Sequence, residues 1–261
     1  MTETNRPVRI AFQLQPQHAD YADIRRTVAA VEEAGADILF TWDHFYPLHG
    51  EPDGEHFECW SMLAAWAEAT ERVELGALVS CNSYRNPELL ADMARTIDHI
   101  SDGRLIFGIG AGWFQRDYDE YGYEFGTAGS RLADLAEALP RIEQRWAKLN
   151  PRPTRDMPVM IGGGGEKKTL RLVAEHADIW HGFGDPETVA HKHEVLDRHC
   201  ADIGRDPAEI ERSTKGEGDP SDMGEKLYEA GSRLFTVHDD GPDFDLGELR
   251  DWIAWRDDKN K

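Results

Sequence analysis

The sequence predicts a single α/β domain built as a (β/α)8 TIM barrel, and three observations support this prediction. Short apolar runs alternate with helical periodicity eight times along the chain. Most of these runs are apolar along their whole length, as expected for parallel strands that are buried on both faces. The length of 261 residues is typical of one such barrel. We therefore expect residues 1–261 to form one domain of parallel strands joined by helical crossovers.

The individual elements follow from the periodicity, in chain order. The predicted strands span 8–14, 37–42, 73–79, 104–110, 158–163, 178–183, 209–214 and 233–239. The predicted helices span 20–34, 57–70, 86–100, 130–148, 166–176, 186–203 and 221–230.

Local signals support two of these helices. Gly35 is expected to end the first helix, since glycine is common just after the last helical residue. Asn86 is predicted to cap the third helix, with Pro87 in its first turn. The buried stripe of that third helix is predicted from its spacing to comprise Leu90, Met93, Ile97 and Ile100.

Charge and cysteine content narrow the function classes. Acidic residues number 50 against 29 basic ones, and the net charge of −21 disfavours nonspecific binding to nucleic acid or anionic membranes. Cys59, Cys81 and Cys200 are far apart, which predicts reduced thiols. No apolar run reaches the roughly 20 residues of a membrane span. The segment MTETNRPVRI has no apolar core, so a signal peptide is not expected, and we predict a cytoplasmic protein.

Four strand ends carry unusual residues. In a barrel of this kind, function lies where strands end and the following loops begin. These four ends read TWDHF at 41–45, SCNSYRNP at 80–87, GIGAGWFQRDYDEYG at 108–122 and IGGGGEKK at 161–168. Several large aromatic residues nearby suit a planar ligand, namely Trp42, Phe45, Tyr84, Trp113, Phe114, Trp180 and Phe183.

The first of these ends holds an acid–base pair, Asp43-His44, followed by about a dozen loop residues before apolar periodicity returns at Phe57. Neighbouring residues on a strand point in opposite directions, so the two side chains need not touch. A helix-capping aspartate beside a surface histidine is the alternative interpretation. The rim position favours a functional pair.

The last of these ends is a glycine run that precedes a helix predicted to begin near Glu166. Glycine lets the backbone approach a ligand closely, and a helix N-terminus favours a phosphate group. Lys167 and Lys168 add local positive charge. The alternative is a tight turn with solvent-facing lysines. The shorter GIGAG segment at 108–112 would let a flat ring lie on the backbone.

A metal site is not predicted. Potential ligands do share one loop: His44, His49, Glu51, Asp53, Glu55, His56 and Cys59. However, the first strand end reads FQLQPQ and lacks the H-x-H motif usual in metal-dependent barrel hydrolases. His191 and His193 are two residues apart on a predicted helix and so face different directions.

Taken together, three blocks resemble the bacterial luciferase-like superfamily. They are TWDHFYPL, LGALVSCNSYRNPELLADMARTIDHISDGRLIFGIGAGWFQRDYDEYG and PVMIGGGGEKKTLRLVAEHADIWHGF. They are most similar to the oxidoreductases that depend on coenzyme F-420 (8-hydroxy-5-deazaflavin). The resemblance covers about residues 8–215. It implies a barrel that holds the deazaflavin at the strand ends and transfers a hydride between it and a small organic substrate.

The resemblance also assigns residues. Asp43 and His44 would be catalytic beside the ring, with Asp43 orienting His44 or contacting the ring. A non-proline cis peptide at Leu78-Val79 would support the ring from behind, and the glycine run would hold the phosphate. The implied cofactor-binding residues are Leu78, Val79, Ser80, Asn82, Gly110, Ala111, Gly112, Trp113, Ile161, Gly162, Gly163, Gly164, Gly165, Glu166, Lys167, Trp180, His181, Gly182 and Phe183.

Two departures from the family pattern concern the substrate. Trp113 stands where the sugar-phosphate dehydrogenases of the family have a glutamate, which argues against a sugar phosphate. The insertion that many relatives carry before the fifth strand is shortened, because RWAKLNPRPTRDMPVM passes almost directly into that strand. The substrate pocket is therefore expected to be more open.

Two alternative functions stay open, and so does the oligomeric state. The first is an FMN-dependent monooxygenase of the same superfamily, and the second is a barrel that binds a phosphorylated ligand without redox chemistry. An acidic deazaflavin tail would need a basic exit path, for which the candidates are Arg85, Lys167, Lys168 and Arg171. The third open point is the oligomeric state, with a homodimer as one option.

Overall fold

The computed structural model describes residues 6–261 and shows the predicted barrel of parallel strands. Its strands are β1 (Arg9–Gln15), β2 (Ile38–Thr41), β3 (Glu74–Ala77), β4 (Ser80–Cys81), β5 (Leu105–Gly110), β6 (Val159–Gly162), β7 (Ile179–Gly182), β8 (Glu211–Lys215) and β9 (Leu234–Asp240). Residues 1–5, on which the argument against a signal peptide partly rests, lie outside the described residues.

The strand pairs close the sheet on itself. β1 lies between β2 and β9, and the order continues through β8, β7, β6 and β5. β3 and β4 are two segments of one barrel strand, because both pair with β5. All of these pairings are parallel, which confirms the predicted (β/α)8 architecture.

The helices surround this barrel. They are α1 (Tyr21–Ala34), α2 (Cys59–Ala69), α3 (Pro87–Ile100), α4 (Gln115–Tyr121), α5 (Ala128–Lys148), α6 (Thr169–His176), α7 (Pro186–Ile203), α8 (Glu225–Glu229) and α9 (Gly247–Lys259). The sequence prediction missed α4 and α9. The helix predicted over 221–230 is shorter than expected, because a π-helical turn over Pro220–Gly224 precedes α8.

The predicted helix signals have clear structural counterparts. Gly35 follows α1 with a φ of 96°, a conformation that glycine adopts without steric cost. The Asn86 side chain accepts a hydrogen bond from Leu89 N at 3.1 Å, and so caps α3. The predicted stripe of α3 is wrong at Ile100, which ends the helix and is 39% exposed.

Helix α6 begins later than predicted. Its first residue is Thr169, whereas the sequence placed the start near Glu166. Residue Lys168 precedes the helix and offers no side-chain acceptor that could cap it. The glycine run is therefore separated from the helix by a turn over residues 166–168.

Side chains fill the barrel interior, so the barrel is packed rather than hollow. Ala11, Phe40, Ile106, Met160 and Leu234 belong to this interior cluster. A much larger apolar cluster lies between the strands and the surrounding helices. Space for a ligand is consequently left at the ends of the barrel.

The predicted backbone irregularity lies between β3 and β4. The Leu78-Val79 peptide bond is cis, which confirms the expectation drawn from the family resemblance. Two further cis bonds, Asn150-Pro151 and Gly241-Pro242, precede proline. Among the helices of residues 6–261, none combines the length and the apolar character that crossing a membrane requires.

Candidate functional site

A cavity of about 400 Å³ lies at the carboxyl ends of the strands, and it collects most of the predicted site residues. Asp43 and His44 both line it. The predicted cofactor-binding residues that also line it are Leu78, Val79, Ser80, Gly110, Ala111, Gly112, Trp113, Gly162, Gly163, His181 and Phe183. Those that do not line it are Asn82, Ile161, Gly164, Gly165, Glu166, Lys167, Trp180 and Gly182.

Ile161 and Trp180 lie outside the cavity because side chains alternate along a strand. Both belong to the apolar layer between the barrel and its helices. The Trp180 indole Nε1 donates a hydrogen bond to the carbonyl oxygen of Gly163 at 2.8 Å. Trp180 therefore supports the glycine turn from behind rather than facing a ligand.

Glu166 faces helix α7 instead of the cavity. Its carboxylate contacts the Lys192 ammonium at 2.6 Å and the His191 ring at 3.1 Å. The hydrogen bond from Lys192 is the main cause that lowers the pKa of Glu166. Gly164, Gly165 and Lys167 are exposed beside it, so the C-terminal half of the predicted phosphate-binding segment points to solvent.

Asp43 is buried in an ion pair. Both of its carboxylate oxygens accept hydrogen bonds from the Arg85 guanidinium, at 2.6 and 3.0 Å, and the N–H of Cys81 donates a third at 3.0 Å. Arg85 also contacts Glu58 at 2.5 Å. Burial raises the pKa of Asp43, while Arg85 acts in the opposite direction. Arg85, one of the candidates for a basic exit path, is instead neutralised by two carboxylates.

His44 is held by an acid that the sequence did not single out. Its Nδ1 lies 2.7 Å from the carboxylate of Asp117, which also accepts hydrogen bonds from the Phe45 N–H at 3.1 Å and the Tyr84 hydroxyl at 2.8 Å. Asp117 is fully buried. A carboxylate is only an acceptor, so Nδ1 carries a proton and Nε2 is the ring nitrogen left for a ligand. The expectation that Asp43 orients His44 is therefore wrong.

Aromatic rings surround the His44 imidazole. Trp42, Trp113 and Phe114 meet it edge-on, with ring centroids 5.5 to 5.8 Å away. Trp113 is 62% exposed although it lines the cavity. The Nε2 of His44 has no hydrogen-bond partner within the described part of the chain. His44 Nε2 is thus surrounded by apolar rings, and the exposed Trp113 side chain beside it could be covered by a ligand.

His181 lines the cavity in neutral form. Its Nδ1 lies 2.8 Å from the Ser213 hydroxyl. Burial lowers the pKa of His181 to about 4. The Phe183 ring meets it edge-on at 4.8 Å and is 61% exposed. His181 is therefore a neutral hydrogen-bonding group near pH 7.

The loop histidines are used for packing. The Trp42 Nε1 donates a hydrogen bond to His56 Nε2 at 2.9 Å, and burial lowers the pKa of His56 to about 4. His49 contacts Gln17 at 2.6 Å, and Cys59 is buried at the start of α2. Within residues 6–261, no three His, Cys, Asp or Glu side chains are grouped so that they could hold a metal ion.

Several cavity residues were not assigned to catalysis or cofactor binding from the sequence, although Tyr84 was among the aromatic residues expected to suit a planar ligand. They are Gln13, Cys81, Tyr84, Ala128, Arg131, Leu132 and Thr169. Their positions could have been inferred partly from the strand-end blocks, which contain Cys81 and Tyr84. Ala128, Arg131 and Leu132 come from the first turns of α5, which carry no distinctive motif.

Comparisons with known proteins identify the family and the fold. A family model described as luciferase-like monooxygenase matches residues 6–217. A coenzyme F-420-dependent glucose-6-phosphate dehydrogenase from Amycolatopsis mediterranei (strain U-32) is 28% identical over 177 residues, which are 60% of this chain and 52% of that protein. An enzyme of the same name from Intrasporangium calvum is 32% identical over 178 residues, which are 59% of this chain and 50% of that protein. The chain thus spans about half the length of these curated relatives.

A solved structure shares the fold over nearly the whole chain. It is a coenzyme F-420-dependent secondary alcohol dehydrogenase in complex with a cofactor–acetone adduct. The TM-score is 0.83, the sequence identity is 17%, and the match covers 93% of this chain and 96% of that one. At this identity the likeness shows the fold alone.

Proposed function

The chain belongs to the luciferase-like monooxygenase family, and from this premise we propose that it is an oxidoreductase that transfers a hydride between coenzyme F-420 and a small organic molecule. The observation that carries the proposal is the strand-end cavity, which His44 lines together with Gly110, Gly112, Gly162 and Gly163. The curated relatives named above support the choice of cofactor.

The cavity floor suits a flat ring because side chains have no room there. A Cβ atom on Gly110 would come within 2.7 Å of a Val79 methyl carbon, and one on Gly162 within 3.1 Å. Leu78 and Val79 line the same cavity, with Val79 packed on these glycines, and the Gln13 amide donates a hydrogen bond to the Leu78 carbonyl oxygen at 2.8 Å. These residues would hold the ring of a deazaflavin. Gly163 and Thr169, at the turn before α6, would hold its phosphate.

The protein's own contribution is orientation and proton transfer. When bound, the reduced cofactor supplies the hydride. His44 would act on the substrate through Nε2, which accepts a hydrogen bond or a proton when the ring is neutral and donates one when the ring is protonated, and Asp117 would fix the ring orientation. Asp43 acts at a distance from His44: through Arg85 and the Cys81 N–H it holds the β4 backbone behind the cavity. With a ligand bound, the Trp113 and Phe114 rings beside His44 would help to exclude water from the reacting atoms.

Cofactor choice is tested by direct binding. We expect the purified protein to bind oxidised coenzyme F-420 at least tenfold more tightly than FMN, which corresponds to about 1.4 kcal/mol. The measurement is a fluorescence titration with each cofactor. Equal or tighter binding of FMN would instead support an FMN-dependent monooxygenase. Tight binding of coenzyme F-420 without turnover of any oxidant would support the non-redox alternative.

A glycine pair tests the phosphate site. Gly163 lines the cavity at a φ of 123°, whereas its neighbour Gly164 is exposed, with only the Lys192 side chain near an added Cβ. Gly163→Ala should weaken coenzyme F-420 binding more than tenfold, because it adds a Cβ and disturbs the backbone beside the ligand. Gly164→Ala is the matched control and should bind normally. Circular dichroism verifies that both variants fold. Equal coenzyme F-420 affinities of the two variants would show that the glycine run is only a turn and does not bind the phosphate.

A further inference from the structure

Arg131 is a buried cation whose protein partners are all neutral. It lies in the first turn of α5, lines the cavity and is 8% exposed. Its Nε donates a hydrogen bond to the Gly112 carbonyl oxygen at 3.0 Å, and its Nη1 donates one to the Phe125 carbonyl oxygen at 2.8 Å. The guanidinium carbon lies 4.0 Å from the centre of the Phe125 ring. No carboxylate of residues 6–261 forms an ion pair with it.

Two partly buried arginines of this protein are satisfied in different ways. Arg85 is neutralised by Asp43 and Glu58. Arg104 has no carboxylate partner, but its guanidinium donates to four backbone carbonyls and to the Thr70 hydroxyl, which uses all five donors. Arg131 has neither solution, because its Nη2 has no hydrogen-bond partner in the described chain. If Arg131 had only a structural role, some of its N–H donors and its positive charge would lack a protein partner at the cavity wall.

The surroundings of Arg131 add positive potential. It lies in the first turn of a long helix, where the helix dipole favours an anion, although the Thr127 side chain already caps the Ser130 N–H. Ala128, the first residue of that helix, also lines the cavity. Asp43 also lines the cavity, but its carboxylate is already paired with Arg85 and not with Arg131. Because an isolated buried charge is costly, a counter-ion is expected from outside the chain.

We propose that Arg131 and the first turn of α5 form an anion subsite of the cavity, separate from the glycine turn before α6, that binds a carboxylate or phosphate oxygen of a ligand. The anion belongs either to the acidic side chain of the cofactor or to the substrate. If the anion comes from the cofactor, the inference rests on the proposed function. The subsite itself requires only that an anion binds to Arg131.

The test compares Arg131→Gln with Lys148→Gln, which removes the same charge from the other end of α5, roughly 25 Å away at 1.5 Å per residue. Each full-length variant is titrated with coenzyme F-420, with the deazaflavin core that lacks the phosphate and acidic tail, and with inorganic phosphate in the presence and absence of cofactor. Binding is followed by fluorescence and calorimetry.

The outcomes separate the two sources. If the anion belongs to the cofactor, Arg131→Gln weakens coenzyme F-420 binding at least tenfold and leaves binding of the tail-less core unchanged. If it belongs to the substrate, cofactor affinity stays normal and phosphate binding falls at least tenfold. Affinities within twofold of wild type for every probe, or an equal loss in Lys148→Gln, would overturn the subsite. A wild-type protein that binds phosphate through Arg131 but not coenzyme F-420 would contradict the proposed function and leave the subsite standing.

A second variant protects the test against misfolding of Arg131→Gln. Ala128→Asp keeps Arg131 and its carbonyl contacts, and an acidic residue in the first turn is favourable for a helix. It nevertheless supplies a competing negative charge at the subsite, so it should lower the affinity of the same probe at least tenfold. Ala128→Asn is the neutral control and should stay near wild type. Equal binding by the Asp and Asn variants would contradict the inference.

Discussion

His44→Ala is expected to lower turnover by about 10²–10⁴, the usual contribution of a positioned acid or base. The reason is local: Nδ1 is committed to Asp117, so the ring presents a single nitrogen, Nε2, for the substrate. The fold should survive because the ring lies at the cavity wall and not in the apolar core. Cofactor affinity should change less than turnover. The measurement is single-turnover oxidation of the reduced cofactor, followed by absorbance, once a substrate is known.

His49→Ala is the matched control for this prediction. The His49 side chain is 56% exposed on the same loop and contacts Gln17 and Asp240 rather than the cavity. It should turn over at nearly the wild-type rate. A wild-type rate in His44→Ala would leave His44 with only a packing role, and an equal loss in both variants would point to the loop as a whole.

Arg85→Met is expected to destabilise the protein by about 3–5 kcal/mol, because it leaves the Asp43 carboxylate buried without its cation. The free energy of unfolding is measured by urea denaturation. The loss should shrink as the pH falls, since protonation removes the buried charge. The sign follows from linkage: without Arg85 the folded-state pKa of Asp43 is raised further, so the folded state binds the proton more readily than the unfolded state.

An exposed ion pair provides the comparison. Arg141 contacts Glu88 at 2.7 Å between α5 and α3, where water screens both groups. Arg141→Met should therefore change the free energy of unfolding much less than Arg85→Met does. Similar losses in the two variants, or a loss in Arg85→Met that is independent of pH, would show that the cost does not come from the buried carboxylate.

The cis peptide and the strand-end glycines show which features of the site could be predicted from the sequence blocks. The cis bond at Leu78-Val79 was predicted correctly, and Gly110, Gly112, Gly162 and Gly163 line the cavity as expected, whereas Gly164, Gly165 and Gly182 do not. The same blocks could not distinguish which residues of a strand face the cavity. Ile161 and Trp180 were assigned to the ligand, yet they point outward, because a shift of one residue reverses the side of a strand.

The sequence by itself determined the architecture of this protein. Strand and helix alternation, uniformly apolar strands and the caps at Gly35 and Asn86 are local properties, so they can be interpreted without knowing the fold. The final helix α9 was within reach of the same reasoning, since Leu249, Trp252 and Ile253 follow helical spacing. Its omission was an error of interpretation and not a limit of the sequence.

Only the tertiary structure decided which polar groups are partners. Asp117 meets His44 across 73 positions of the chain, and Arg85 meets Asp43 across 42. Asp119, Glu120 and Glu124 lie close to Asp117 in the sequence, and no local pattern distinguishes Asp117 from them as the partner of His44. Which one is buried depends on how the α4 segment folds over the strand ends. The same holds for Arg131. That no carboxylate of residues 6–261 pairs with it can be seen only in the folded structure.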